Sequence, residues 1–202
     1  IATRHGNFAV KKGDKLAGTR IIPLVIEEEK MKKVKAQTME LTGGKPILEL
    51  KPFQHKQVGI ITTGNEVFHG RIQDTFTPVI VDKLAEFNAE VTDHVTWDDD
   101  DKKVTASILD MIEKGADIVI CTGGMSVDPD DKTPLAIKNT GARIVSYGAP
   151  VLPGAMFLLA YYDRVEQGKN RRTVIMGLPG CVMYAKRTIF DLVLPRVMAD
   201  DE

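Results

Sequence analysis

The sequence is poor in the features that most often announce a function. Only two of its 202 residues are cysteine, Cys121 and Cys181, with no CxxC and no other metal-ligand spacing. That argues against a zinc site and a disulfide scaffold and leaves reduced thiols as the expectation. No apolar run approaches the roughly 20 residues that cross a bilayer, and no charged-then-apolar leader opens the chain, so a cytoplasmic protein that avoids membranes is expected. Ile1 falls inside a polar-apolar pattern, which suggests a piece of a longer protein. GxGxxG and GxxxxGK[ST] are both missing, and with them the ordinary dinucleotide and P-loop readings. No local Ser-His-Asp or Cys-His signature is present, and Cys181 has no identifiable base. His5 and His55 stand alone and suit surface or capping roles.

The net charge of −1 conceals an asymmetry. Residues 1–57 carry 12 Lys+Arg against 6 Asp+Glu, leaving 15 against 22 for residues 58–202. The basic part interleaves its lysines with acids and lacks aromatic stacking partners, so a solvated surface is expected and nucleic acid is not. Within it, Arg20 to Ile26 is β-prone and Glu27 to Met39 offers a charged helix with Met31, Val34 and Thr38 on one stripe. The expected organisation is a small β-rich segment at 1–57 and an α/β domain at 58–202, with Lys51-Pro52-Phe53 as a connector.

From Val58 the pattern alternates strands with helices, the sign of a layered sheet. Strands are expected at Val58 to Thr62, Val91 to Thr96, 117–121, Ile144 to Tyr147 and Val174 to Met176. Helices are expected from about Pro78 to Asn88, Val104 to Glu113, Pro134 to Asn139 and roughly Met183 to Val193, and a polar hairpin loop over Gln167 to Arg172. The four aspartates at 98–101 lack the EF-hand spacing and its terminal glutamate, and read as a solvated, helix-capping run. The apolar run ending in Cys121-Thr122-Gly123-Gly124 opens onto Ser126, Asp128, Asp130 and Asp131. Glycines let amides approach an anion, and carboxylates beside them suit a bridging divalent cation, so this loop reads as a phosphate-plus-magnesium site. The plainer alternative is a tight turn followed by helix-capping aspartates. Glycine-bearing loops leave strands at Gly64, Gly123 and Gly177, and in open α/β sheets such loops gather where ligands bind.

These residues in this order resemble the molybdopterin-binding domain of molybdenum-cofactor biosynthesis proteins, especially the molybdopterin molybdenumtransferases. The resemblance covers residues 58–195. It is carried by Thr63-Gly64-Asn65-Glu66, Asp74, Ala116 to Val119 leading into Thr122 to Val127, Pro153-Gly154, Gly177-Leu178-Pro179-Gly180 and Val193-Leu194-Pro195. It implies a three-layer α/β/α domain with a mostly parallel sheet. It also implies a pocket for molybdopterin or adenylylated molybdopterin formed by Thr63, Gly64, Glu66, Thr122, Gly123, Gly124, Ser126, Pro179 and Gly180. Asp74 and Asp131 would then hold Mg2+ as the catalytic pair while molybdate is inserted into the dithiolene.

A homo-oligomer and a molybdoenzyme client are further expectations of that resemblance. The alternatives it leaves open are a non-catalytic molybdopterin carrier and a nucleotide hydrolase of the competence-damage-inducible type. Four departures bear on the choice. Asp128 stands where the family usually has glycine, and Thr75-Phe76 replaces a Ser/Thr-Asn. Ala155-Met156 replaces a Lys-Pro, and Cys181-Val182 replaces an Asn-Pro.

Overall fold

The computed structural model describes every residue except Asn7, Ile21, Asn88, Val127, Pro129, Asp130 and Glu202. The chain divides into two units, Ile1–Pro52 and Phe53–Glu202, so the division precedes the charge boundary at residue 57. Residues 53–57 join the second unit through named contacts. Phe53 meets Phe87 edge-on at 5.0 Å, and the Gln54 amide donates to the Met198 carbonyl at 2.7 Å.

The first unit holds β1 (Ala2–Thr3), paired antiparallel with β2 (Ala17–Gly18), and α1 (Glu28–Thr42). Gly43, left-handed at φ 60°, ends α1, where a side chain would carry strain. The helix matches expectation, but among the described residues of Arg20–Ile26 there is no strand. β-propensity reflects packing against a neighbouring strand. Ile22, Leu24 and Val25 are at least 85% exposed, and Pro23 has no amide to donate to a ladder.

The second unit is a six-stranded sheet. Its elements are β3 (Gln57–Thr63), α2 (Asn65–Phe68), α3 (Phe76–Ala85), β4 (Glu90–Trp97), α4 (Asp101–Glu113), β5 (Ile118–Thr122), α5 (Thr133–Asn139), β6 (Arg143–Tyr147), β7 (Leu158–Glu166), β8 (Lys169–Leu178), α6 (Cys181–Tyr184) and α7 (Ile189–Met198). The strand order is β4-β3-β5-β8-β7-β6. The four on the β4 side run parallel, and β7 and β6 add antiparallel pairs.

Alternation along the strands makes the three layers. Val58, Ile60, Ile118, Ile120 and Met176 face one core with Ile80 and Leu84 of α3 and Phe190 and Leu194 of α7. Ile61, Val119, Cys121 and Ile175 face the other, with Ile108 and Met111 of α4 and Ile137 of α5. A strand buried on both faces reads as a continuous apolar run, as β5 does.

Two expectations change here. The hairpin loop expected over Gln167 to Arg172 is a two-residue turn, Gln167 and Gly168, at φ 50° and 76°. Lys169 to Arg172 belong to β8. Polar residues extend the ladder because they pair: Arg172 Nε donates to Asp163 at 2.5 Å, and Arg171 reaches Glu166 at 3.1 Å. The single helix expected from Met183 to Val193 is two helices. Thr188 and Asp191 form a capping box that starts α7 afresh. Asp191 also accepts from Lys83 Nζ at 2.6 Å, with only 4% of its side chain exposed, which ties α3 to α7.

Candidate functional site

Strand order reverses at β3. The chain leaves β3 toward β4 on one side, then returns past it to β5 and leaves on the other side. In open α/β sheets ligands bind at the carboxyl ends of the strands flanking such a switch point. The loops beginning at Gly64 and Gly123 both emerge there.

On the α4 side the two strand ends are locked together. A Cβ on Gly123, at φ 81°, would lie 2.1 Å from the Thr63 carbonyl oxygen, so only glycine permits this approach. Thr63 Oγ1 donates to the Thr122 carbonyl at 3.1 Å, and Thr133 Oγ1 donates to the Gly123 carbonyl at 2.9 Å. Gly124, at φ 52°, would place a Cβ 3.0 Å from Thr133 Oγ1. Beyond the glycines, the amide and hydroxyl of Ser126 both donate to Asp131 Oδ2 at 2.7 Å. The Ser126 hydroxyl also lies 3.0 Å from Asp128 Oδ2. The family departure at Asp128 thus enters the same hydrogen-bonded turn as Asp131. Burial and the negative charge of Asp131 together push the Tyr147 phenol up. Asp130 and Val127 lie outside the described residues.

On the α3 side Asp74 caps its helix. Its Oδ1 accepts from the amides of Phe76 and Thr77 at 2.9 and 3.1 Å. Its Oδ2 accepts from the hydroxyls of Thr77 at 2.5 Å and Thr62 at 3.3 Å. Burial raises its pKa, but the hydrogen bonds from Thr77, Phe76 and Thr62 outweigh that and hold it below the ordinary 3.8. This cap is why α3 begins at Phe76 rather than at Pro78.

Of the other expected residues, Thr122 is fully buried, Pro179 is buried and Gly180 is exposed ahead of α6. Gly64 stands at φ 143° with its amide on the Trp97 carbonyl, and Glu66 is exposed in α2. Gly177 lies inside β8 instead of opening a loop. A Cβ there would be 2.6 Å from Met125 Cε, so its bareness lets the buried Met125 pack under the β5 loop. Asp74 and Asp131 stand in separate hydrogen-bond networks. Among the described residues no three His, Cys, Asp or Glu side chains are grouped to hold a metal.

Several residues at this edge escaped the sequence reading. Asp99, Asp100 and Asp101 line a shallow depression with Thr63, Val104, Lys132 and Thr133. Asp100 does cap α4, accepting from the amides of Lys102 and Lys103, yet the run also borders the switch point. Trp97 donates to Ser107 Oγ at 2.8 Å, and Lys103 Nζ sits over both the Trp97 and Phe68 rings. His94 joins the Asp74 cluster, with Nε2 3.2 Å from Thr62 Oγ1 and 3.1 Å from Thr77 Oγ1. A register shift between Val58 and Gly59 skips Thr92 on β4. It turns His94 to the α3 face and Trp97 to the α4 face. The signal in the sequence was the polar DHVTW run ending a strand directly before four aspartates.

These features define a doubly wound α/β domain with a candidate ligand edge at the β3/β5 switch point. The chain belongs to the molybdenum-cofactor biosynthesis family described as a probable molybdopterin binding domain, whose model matches residues 59–199. The fold is similar to that of the molybdopterin biosynthesis enzyme MoaB from Thermus thermophilus. That match has 26% identity and a TM-score of 0.57, and covers 70% of this chain and 91% of that one. The tungsten cofactor synthesizing protein MoaB from Pyrococcus furiosus shares the fold at 20% identity and a TM-score of 0.54, over 70% and 90% of the two chains. A CinA-like protein of Mycobacterium tuberculosis is 35% identical over 77 residues, which are 38% of this chain and 18% of that protein. The match thus spans under a fifth of that relative. No helix among the described residues is long and apolar enough to cross a membrane.

Proposed function

We propose that the second unit binds molybdopterin at the β3/β5 edge and inserts molybdate into its adenylylated form with the help of Mg2+. The observation that carries this reading is the switch point itself. Gly123 and Gly124 bring the β5 loop against Thr63, while the Ser126–Asp131 hydrogen bonds shape the turn beyond. Backbone amides at bare glycines suit a phosphate, and carboxylates around them suit a cation that offsets its charge. Asp74 and Asp131 belong to separate networks in the chain alone, so a magnesium ion shared by them would arrive with the substrate's phosphate oxygens. Mg2+ keeps waters and takes few protein carboxylates, in accord with that order of assembly. The reaction asks the chain to neutralise charge and orient the phosphate, with no protein nucleophile.

The test is magnesium-dependent AMP release from adenylylated molybdopterin in the presence of molybdate. Asp131→Asn and Asp74→Asn are each expected to lower the rate by about 10²-fold while molybdopterin stays bound. Tight binding by the native protein with no AMP released under any metal condition would remove the transferase reading in favour of a carrier. A second reading, hydrolysis of a nucleotide, is favoured by the stretch similar to the CinA-like protein. Molybdopterin recovered from the purified protein by mass spectrometry would count against it.

A further inference from the structure

The end of β4 carries an aromatic cluster that neither a phosphate nor a magnesium ion would use. Trp97 is the register partner of Thr63, and its carbonyl accepts from the Gly64 amide at 3.1 Å. The indole faces α4, where Ser107 satisfies its N–H. Phe68, the last residue of α2, lies against it with ring centroids 6.2 Å apart and planes 31° from parallel. Lys103 Nζ stands 5.7 Å from the Trp97 ring centre and 5.9 Å from that of Phe68. The two carboxylate oxygens of Asp98 each hold that ammonium at 3.0 Å. Trp97 leans on the core beneath α4, whereas Phe68 belongs to neither core and is 39% exposed.

One exposed ring is ordinary; the carboxylate beside this one is not. Asp99 lines the depression with Thr63 and Lys132. Asp98, Asp100 and Asp101 each accept a hydrogen bond at their carboxylates. The Asp99 carboxylate, in a partly buried residue, has no hydrogen-bond partner among the described residues, although such a group normally finds a donor. β3 lies between β4 and β5, so the aromatic cluster and the Gly123 loop are two strand spacings, about 10 Å, apart. A ligand that serves both carries a flat, donor-bearing ring at one end and a phosphate at the other.

We infer, on the basis of the molybdopterin reading proposed above, that Phe68 backed by Trp97 is the stacking face for the pterin end of the substrate and that Asp99 accepts that ring's N–H donors. The phosphate end stays at Gly123 and Gly124. An aromatic face takes a flat ring of any kind, so the choice between rings falls to Asp99. The pyrimidinone ring of a pterin presents an N–H and an amino group side by side, a pair that the two oxygens of a carboxylate accept together. Adenine presents its amino group beside an acceptor nitrogen, whose lone pair a carboxylate repels. Of the two rings in adenylylated molybdopterin, the cluster therefore selects the pterin. Lys103, fixed by Asp98, keeps the two aromatic rings in register for it.

The experiment is calorimetric titration of the full chain with molybdopterin and, separately, with AMP, for the native protein and for Phe68→Leu, Phe68→Tyr and Asp99→Asn. Phe68→Leu keeps apolar bulk but removes the π-face, and should weaken molybdopterin by about 10-fold, while Phe68→Tyr stays near the native affinity. Asp99→Asn should also weaken molybdopterin by about 10-fold. AMP affinity and the unfolding temperature should be indifferent to all three, as they would not be if the residues served only the fold. Molybdopterin binding unmoved by Phe68→Leu and Asp99→Asn would overturn the inference and leave the proposed function standing. So would variants that weaken AMP as much as molybdopterin. A native chain that binds no molybdopterin would overturn both.

Discussion

Thr62 and Thr63 are neighbours of the same chemistry at the end of one strand, and they do opposite work. Thr63 faces α4, where its hydroxyl and that of Thr133 each find a backbone carbonyl and fasten the Gly123 loop to β3. Thr62 faces α3, where its hydroxyl lies 3.1 to 3.3 Å from Thr77, His94 and Asp74. The first cluster fastens two strand ends; the second steadies the start of α3. Pleating alone separates them, because successive strand residues point to opposite faces.

Breaking the Thr63 side should cost stability first. Gly123→Ala must displace the Thr63 backbone and adopt a left-handed φ, and is expected to destabilise by about 3–5 kcal/mol in denaturant unfolding. Gly124→Ala meets only a side-chain hydroxyl and should cost about 1–2 kcal/mol. The Lys83–Asp191 pair offers a control away from both clusters. Lys83→Met strands a buried carboxylate and should cost about 3 kcal/mol, moderated by Arg187 at 3.3 Å.

Acid should act mainly through Asp74 and Asp191. Burial raises the pKa of each, but hydrogen bonds outweigh that and hold it below the ordinary 3.8, with Lys83 adding its charge at Asp191. Folded values below the unfolded one give stability that is complete above about pH 4 and is lost as pH falls through the folded values. Asp191→Asn should flatten that acid limb, and an unchanged limb would contradict the assignment. The smallest effect concerns the thiols. Burial pushes Cys121 up to about 12, so alkylation of the native chain should label Cys181 alone, and labelling of both would show that β5 opens readily.

Much of this was legible in the sequence because the β3, β5 and β8 strands are buried on both faces and β3 and β5 run straight into glycines. The succession of strands and helices, the layered sheet and the two loops at the switch point follow from that pattern; the order of strands within the sheet does not. What the sequence hid depended on partners. Lys169 to Arg172 looked like loop until Asp163 and Glu166 across the hairpin were seen to pair with them. α6 and α7 looked continuous because a capping box inside a helical run gives no break in hydrophobicity. His94 was missed because a single bulged residue, Thr92, reverses which face the end of β4 presents. The aspartates at 98–101 read as solvated because nothing local says that a strand end delivers them beside Thr63.

The claim at the centre of the account is that the β5 loop holds molybdopterin through its bare glycines. Titration of the full chain and of Gly124→Val with molybdopterin, each checked for thermal unfolding, tests it most directly. The account predicts tight binding by the native chain and at least tenfold weaker binding by a variant that remains folded, since a branched Cβ at φ 52° would crowd Thr133 and the approaching phosphate. Equal affinity in two folded proteins would contradict it and reduce the loop to a turn.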